Sequence, residues 1–178
     1  MDAMPQTQTM VQPALAGIKV IDLTQFEAGT SITETLAWLG AEVIKVENPL
    51  GGEQGRSASS DRKDADSYYF MVLNANKKSI TLNLKSERGK ELLRDLIRKA
   101  DIFAENFAPG VIERLGFSYD EVAALNPGII YATVQGLRQR EPLREAPRLR
   151  HDRPSMRWRH EHHGRDRRPA DQAGRDAR

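Results

Sequence analysis

Lysine side chains surround one predicted strand and are suited to binding phosphate. Lys77 and Lys78 come directly before the apolar segment "SITLNL", and Lys85 follows it. Lysines at the ends of loops act as point charges for phosphate groups. The same pattern is also typical of a solvated charged edge, where the lysines have no partner of fixed geometry. The residues alone leave both interpretations open.

The segment "AENFAPGVIERLGF" places polar and aromatic side chains just after another predicted strand. Asn106 follows that strand, Phe107 is an apolar loop residue, and Arg114 lies in the short helix that begins after the Pro-Gly turn. Residues at the carboxyl ends of strands line the ligand crevice of α/β sheets. A tight turn with a buried Phe107 explains the segment equally well.

The first strands and helix have the outline of a nucleotide-binding unit. The strand "GIKVIDL", the helix "SITETLAWLG" and the strand "AEVIKVE", which ends in Glu47, follow one another. Ser31 is predicted to cap the helix and Gly40 to end it. Loop amides at the start of such a helix suit an anion. However, the G-x-G-x-x-G fingerprint is absent, which argues against a standard NAD or FAD site.

The segment "HEHHG" near the end of the chain has the residue types of a metal site. His160, His162 and His163 are spaced so that their imidazoles could share a zinc or nickel ion on a helix. Arg and Asp residues surround them and no framework holds them, so we predict no metal site. The surrounding arginines favour only nonspecific phosphate contacts, because Trp158 is the one interleaved aromatic residue. We therefore predict no specific nucleic-acid partner.

The elements that must position these residues alternate between strand and helix. "SERGKELLRDLIRKA" predicts an amphipathic helix capped by Ser86, and "SYDEVAALNP" a short helix capped by Ser118. "DIFAEN" and "GIIYATVQG" predict the fourth and fifth strands, and residues 48–67 a long loop. This alternation predicts an α/β fold, a Rossmann-like open and mostly parallel sheet.

Charge and composition divide the chain at residue 136. Residues 1–136 carry 14 Lys and Arg against 18 Asp and Glu, whereas residues 137–178 carry 13 Arg against 7 Asp and Glu. The second segment contains no Lys, Ile, Val, Phe, Tyr, Thr or Asn. It has too few apolar residues to offset its ordering entropy. We predict a disordered N-terminus over 1–14, an α/β domain over 15–136 and a disordered Arg-rich tail over 137–178.

The sequence also favours a cytoplasmic protein. There are no cysteines, the N-terminus lacks the basic start and apolar run of a secretory signal, and no apolar run approaches the roughly 20 residues that span a bilayer. We predict no membrane association.

Residues 15–136 resemble the class III CoA-transferase family, the group of L-carnitine dehydratase, bile-acid-inducible protein F and formyl-CoA transferase. The matching segments include "LAGIKVIDLTQFEAGT", "LAWLGAEVIKVENPLGGEQGR", "NANKKSITLNLKSERGKELLRDLIRKADIFAENFAPGVIERLGF" and "LNPGIIYATVQG", in the order of the family. The resemblance implies a Rossmann-like domain whose loops hold coenzyme A.

The resemblance also implies positions for the substrate. Coenzyme A or an acyl-CoA is the substrate, a carboxylic acid is its partner, and no cofactor is bound covalently. Ala28 and Gly29 would lie near the thioester, while Leu82 and Lys85 would lie at the adenine and 3′-phosphate end. The residues implied to contact the nucleotide or the pantetheine arm are Arg56, Asn106, Phe107 and Arg114.

The family's reaction needs an aspartate nucleophile, which attacks the acyl-CoA and then carries CoA as an aspartyl thioester. In the family that aspartate follows a "GPPT" segment, and no match to this segment occurs in the 178 residues. We therefore expect a truncated acyl-CoA:carboxylate CoA-transferase without activity. The racemase branch of the family, which abstracts a proton beside the thioester, and a non-catalytic module with a nucleic-acid-binding tail remain alternatives. Family members also have a second domain and form an interlocked homodimer, which we expect this chain to lack.

The tail has the properties of an out-of-frame translation. Read one base later, the possible codons of "GLRQREP" permit Gly-Phe-Gly-Asn-Gly-Ser-Pro, and those of "RPADQAG" permit Gly-Pro-Pro-Thr-Lys-Pro-Gly. Both peptides resemble the sequence that follows at this point in members of the family. One extra base near residue 136 explains the excess of arginine and the loss of hydrophobic periodicity together.

Overall fold

A single parallel sheet forms the centre of the structure, a computed structural model that describes residues 12–58 and 65–135. Its strands in chain order are β1 (Lys19–Asp22), β2 (Glu42–Glu47), β3 (Lys78–Thr81), β4 (Ile102–Glu105) and β5 (Ile130–Thr133). Their order across the sheet is β3-β2-β1-β4-β5, which puts β1 at the centre. Asp22 at the end of β1 is in register with Lys45 on one side and Ala104 on the other. All neighbouring strands are parallel, so the predicted α/β fold is confirmed.

Helices connect the strands. They are α1 (Ala28–Trp38), α2 (Tyr68–Leu73), α3 (Glu87–Ile97), α4 (Val111–Arg114) and α5 (Tyr119–Leu125), with a 3-10 turn at Gln54–Ser57. The predicted caps of α3 and α5 are confirmed, because the Ser86 hydroxyl accepts from the Gly89 amide and Ser118 forms a capping box with Glu121. Such caps satisfy amides that have no partner inside the helix.

The two faces of the sheet differ in chemistry. One face carries an apolar core against α3, α4 and α5, and its buried side chains include Ile21, Leu23, Leu93, Ile97, Phe103, Ile112, Phe117 and Val122. The opposite face packs Val20 and Val43 under Ala37 of α1. Further along the same strands this second face becomes polar, with Asp22 and Lys45 both buried. The polar positions lie toward the carboxyl ends of the strands.

The predicted cap of α1 was wrong, and one helix was missed. Helix α1 begins at Ala28, and Ser31, the predicted cap, lies inside its first turn and donates to the Ala28 carbonyl at 3.2 Å. Phe26, two residues before the helix, adopts a left-handed conformation with φ of 61°, so the turn into α1 lies ahead of the position that Ser31 would cap. Helix α2 was not predicted because its six residues are too short for a helical period. Gly40 ends α1 with φ of 102°, as predicted.

Several expectations concern residues outside the described ranges. The Arg-rich tail with its "HEHHG" segment and most of the N-terminal segment 1–14 are among them. The described part of the chain contains no helix long and apolar enough to cross a membrane.

Gly89 gives a direct test of the packing around α3. A Cβ added there would lie 2.1 Å from the backbone oxygen of Asn83. Alanine is normally better than glycine inside a helix by about 1 kcal/mol. Here we expect Gly89→Ala to lower the free energy of unfolding by roughly 1–3 kcal/mol instead, because of overpacking. Urea denaturation measures this, with Gly51→Ala as the control, since a Cβ at Gly51 meets nothing within 4 Å. An equal or higher stability of the Gly89 variant would contradict the packing.

Candidate functional site

A cleft of about 290 Å³ opens at the carboxyl ends of the strands. Its walls come from the loops that follow β1, β2, β3 and β4. The lining residues are Leu23, Gln25, Val46, Glu47, Asn48, Leu50, Leu82, Asn83, Leu84, Lys85, Phe107 and Leu115. Strand order reverses at β1, and open α/β sheets bind their ligands at this position.

The cleft combines apolar walls with a small number of polar groups. Leu82 and Phe107 are half-buried, and both pack against the apolar core. The loop after β3 is fixed by Asn83, whose side-chain oxygen accepts from the Lys85 amide at 3.1 Å. The Lys85 residue itself is exposed. This arrangement suits a ligand with a flat or aliphatic body and an anionic end.

The turn between β1 and α1 forms one wall of the cleft and is held by side chains from other elements. The Asn106 amide group bonds both polar atoms of the Gln25 backbone, accepting from its N–H at 2.8 Å and donating to its carbonyl at 2.7 Å. The Lys45 ammonium donates to the Thr24 carbonyl at 2.8 Å. The Glu53 carboxylate accepts from the Phe26 amide at 2.7 Å. Three successive residues of the turn are thus bound to three different parts of the chain.

Gly29 allows the start of α1 to pack directly on this turn. A Cβ at Gly29 would lie 2.5 Å from the Cβ of Thr24. Gly29 is buried, whereas Ala28 beside it is exposed. No side chain caps this end of α1. Both residues follow Gln25 closely in the chain, but neither lines the cleft.

Arg56 is bound within the protein. Its Nε and Nη2 atoms donate to the two carboxylate oxygens of Glu47 at 2.7 and 2.6 Å, and Nη1 donates to Asp66 at 2.7 Å. The guanidinium carbon lies 3.9 Å from the centre of the Phe70 ring. The sequence suggested Glu47 as the acidic end of a nucleotide-binding unit, and the structure shows its carboxylate occupied by Arg56.

The electrostatics of Glu47 follow from these contacts. Burial raises the pKa of Glu47, but hydrogen bonds from Arg56, from the Ser79 hydroxyl and from the Glu53 amide outweigh burial and lower the pKa to about 2. The hydrogen bonds between Arg56 and Glu47 also raise the pKa of the Arg56 guanidinium. Glu47 is therefore ionised over the whole physiological range and fixes the loop after β2.

Lys77 is also bound within the protein. Its buried ammonium donates to Asp22 at 3.0 Å, to the Thr33 hydroxyl at 2.8 Å, to the Thr30 carbonyl at 3.0 Å and to Asn74 at 3.0 Å. Burial lowers the pKa of Lys77, and the charge of Asp22 opposes this effect. This lysine belongs to the polar face of the sheet.

The three lysines grouped in the sequence therefore separate in the structure. Lys77 is buried, and Lys78 is exposed and pairs with Glu42 at 2.6 Å. Lys85 lines the cleft. The surface ion pair of Lys78 is that of a charged edge, and the phosphate interpretation stays a prediction for Lys85.

The eight residues expected to bind substrate fall into three groups. Leu82, Lys85 and Phe107 come together in the cleft. Arg114 is exposed on α4 and directly precedes the lining residue Leu115. The remaining four do not line the cleft, and they are Ala28, Gly29, Arg56 and Asn106. Asn106 bonds the backbone of the lining residue Gln25, and Arg56 bonds the carboxylate of the lining residue Glu47.

Other lining residues were missed in the sequence. Asn48 and Asn83 are polar residues just beyond β2 and β3, so their position at strand ends was a usable signal. Leu50 and Leu115 gave no such signal, because a lone leucine in a loop or after a short helix does not indicate a ligand site. Gln25 lies just beyond β1 and was not predicted as a site residue.

Comparison with known proteins assigns a family to this architecture. A model of CoA-transferase family III matches residues 15–151. The formyl-CoA:oxalate CoA-transferase of Streptomyces coelicolor is 52% identical over 127 residues, which are 71% of this chain and 31% of that protein. The formyl-CoA:oxalate CoA-transferase of Streptomyces avermitilis is 51% identical over 123 residues, which are 69% of this chain and 30% of that protein.

A solved structure of a CaiB/BaiF family protein from Brucella suis gives the same result. It superposes with a TM-score of 0.71 and 36% identity, covering 76% of this chain and 37% of that one. The present chain thus spans about three tenths of the length of the curated relatives it matches. The family resemblance noted in the sequence is confirmed.

The Glu47–Arg56 pair predicts a specific dependence of stability on pH. Because folding lowers the pKa of Glu47 from 4.5 to about 2, its contribution is complete above pH 4.5 and is lost as the pH falls toward 2. We expect the stability advantage of the wild type over Glu47→Gln to shrink by roughly 2–3 kcal/mol across this range. Urea denaturation at several pH values measures it. Glu113→Gln, at an exposed carboxylate, is the control, and an advantage of constant size for Glu47 would contradict the assignment.

Proposed function

The chain belongs to CoA-transferase family III, and we propose that its cleft binds the nucleotide end of coenzyme A or of an acyl-CoA. One observation carries the proposal. Leu82, Lys85 and Phe107, which the family resemblance assigned to CoA from separate parts of the sequence, line the same cleft.

The chemistry of the cleft supports this ligand. Adenine is flat and largely apolar, and it suits walls formed by Leu82 and Phe107. The exposed ammonium of Lys85 supplies a point charge for the 3′-phosphate. At about 290 Å³ the cleft is at the lower end of small-molecule sites, so it holds one part of CoA rather than the whole molecule. The pantetheine arm would then leave past Phe107 toward the start of α1, where Ala28 and Gly29 lie.

We further propose that the complete family protein transfers CoA between an acyl-CoA and a carboxylic acid. The Streptomyces relatives, whose name specifies formyl-CoA and oxalate, favour a small acid as the acceptor. In this reaction an aspartate attacks the thioester and releases CoA thiolate, which attacks the resulting anhydride to give an aspartyl-CoA thioester and the free acid. The acceptor carboxylate repeats the two steps in reverse, which restores the aspartate.

Lys85 provides the first test of CoA binding. Charge-assisted hydrogen bonds are worth about 1.5–3 kcal/mol, so we expect Lys85→Ala to weaken CoA binding by roughly 10- to 100-fold. Dephospho-CoA lacks the 3′-phosphate, so its affinity should be the same for wild type and variant. Isothermal titration calorimetry with both ligands measures the two effects.

Lys99→Ala is the matched control for this experiment. Lys99 is an exposed lysine just beyond α3 and does not line the cleft. Its removal changes the net charge equally and should leave both affinities unchanged. If Lys85→Ala weakened CoA and dephospho-CoA alike, or neither, the placement of the 3′-phosphate at Lys85 would be wrong.

The 178-residue polypeptide is expected to bind CoA without turnover, because none of its residues matches the "GPPT" segment that precedes the family's nucleophile. The purified chain, incubated with formyl-CoA and oxalate, should form no oxalyl-CoA by chromatography. The Streptomyces coelicolor relative serves as the positive control. Turnover by the chain above the enzyme-free rate would show that a different residue acts as nucleophile.

A further inference from the structure

Asn106 connects two loops that the fold would otherwise leave separate. It lies directly after β4, and Gln25 lies just beyond β1, 81 positions earlier in the chain. β1 and β4 are neighbours, but the segments that follow them lead to opposite sides of the sheet. A crevice is expected at such a point. The Asn106 side chain joins the two loops by binding the Gln25 backbone.

The geometry of this contact uses the polar atoms of the Asn106 amide. Oδ1 accepts from the Gln25 N–H at 2.8 Å, and Nδ2 donates to the Gln25 carbonyl at 2.7 Å. Both distances are those of good hydrogen bonds. Gln25 and Phe107 line the cleft, whereas Asn106, which lies between them, does not. The contact therefore fixes how far apart two walls of the cleft stand.

The turn that Asn106 holds has an unfavourable backbone conformation. Phe26 has φ of 61°, which is rare for a bulky residue and persists only where the surroundings enforce it. The Glu53 carboxylate accepts from the Phe26 amide at 2.7 Å and from the Gly55 amide at 3.0 Å. Asn106 and Glu53 thus restrain adjacent residues of the turn from opposite sides.

We propose that Asn106 is a positioning residue for CoA, which fixes the Gln25 backbone as a wall of the cleft instead of binding the ligand with its own amide. This inference rests on the proposed function. It differs from the role that the family resemblance implied, in which Asn106 contacts the nucleotide or the pantetheine arm. Glu53 has the same positioning role at Phe26.

Amide hydrogen exchange of the ligand-free chain tests the first half of the proposal. Asn106→Ala removes both bonds to Gln25, so the exchange rate of the Gln25 amide should rise at least about fivefold. Asn106→Leu keeps the approximate shape of the side chain but can neither accept from the Gln25 N–H nor donate to the Gln25 carbonyl. It should also increase exchange, and it provides the test if the alanine variant does not fold.

CoA affinity, measured by calorimetry, tests the second half. Both Asn106 variants should weaken CoA binding by about fivefold or more, because the wall is no longer preorganised. Glu53→Ala should have the same effect through Phe26. Glu53→Gln keeps an oxygen that accepts from the Phe26 amide. It should therefore restore both the slow exchange of the Phe26 amide and most of the affinity for CoA.

Asn126→Ala is the control for a general loss of stability. Asn126 also makes two bonds to backbone carbonyls, those of Ile97 and Ala100, near the amino end of β4 and away from the cleft. Its removal should lower the melting temperature without changing exchange at Gln25 or the CoA affinity.

The possible outcomes distinguish a positioning role of Asn106 from direct binding of CoA and from a purely structural role. If Asn106→Ala weakens CoA binding while exchange at Gln25 stays unchanged, Asn106 binds the ligand directly and the proposal is wrong. If exchange rises but affinity does not change, Asn106 is only structural, which also overturns it. If the wild type binds no CoA, the proposed function fails, and the exchange rate alone then decides whether Asn106 holds the turn.

Discussion

The buried carboxylate of Asp22 is the constraint on which the rest of the structure depends. It lies at the end of the central strand with no exposed surface. One oxygen accepts from the Thr24 amide and hydroxyl, and the other from Thr33 and the Lys77 ammonium. The Lys45 ammonium is 3.9 Å away. Buried charges are costly unless they are paired and hydrogen-bonded, so the turn after β1, α1, β2 and the segment before β3 are all fixed relative to this carboxylate.

The two faces of the sheet consequently have different tasks. The polar face, with its buried ion pairs, fixes the loops at the carboxyl ends of the strands. The apolar face supplies the body of the core and the hydrophobic walls of the cleft, through Leu23 and Val46. A cleft built in this way has a rigid rim, and rigidity reduces the entropy that a ligand must overcome on binding. Glu47, with its pKa lowered by Arg56, extends the same rigidity to the loop after β2.

The sequence predicted local features well and long-range partners poorly. The five strands and the caps at Ser86 and Ser118 follow from patterns a few residues long, and all were found. The order of the strands across the sheet was not predicted, because it depends on contacts between distant segments. The partners of Arg56 and Lys77 lie up to 55 positions away, and no local pattern indicates them. Lys77 was considered for phosphate from the sequence, and the family resemblance implied that Arg56 contacts the ligand. In the structure both side chains bind carboxylates. Lys85 lies four residues beyond β3 and lines the cleft.

The proposed CoA site lies at the carboxyl ends of β1, β2, β3 and β4. The most direct measurement is a titration of the ¹⁵N-labelled chain with CoA, followed through its amide NMR signals. We predict saturable shifts that are largest at Leu23, Leu82, Lys85 and Phe107, which surround the cleft. Shifts concentrated on the outer surface of α1 and α2, or no saturable shift at all, would contradict the claim.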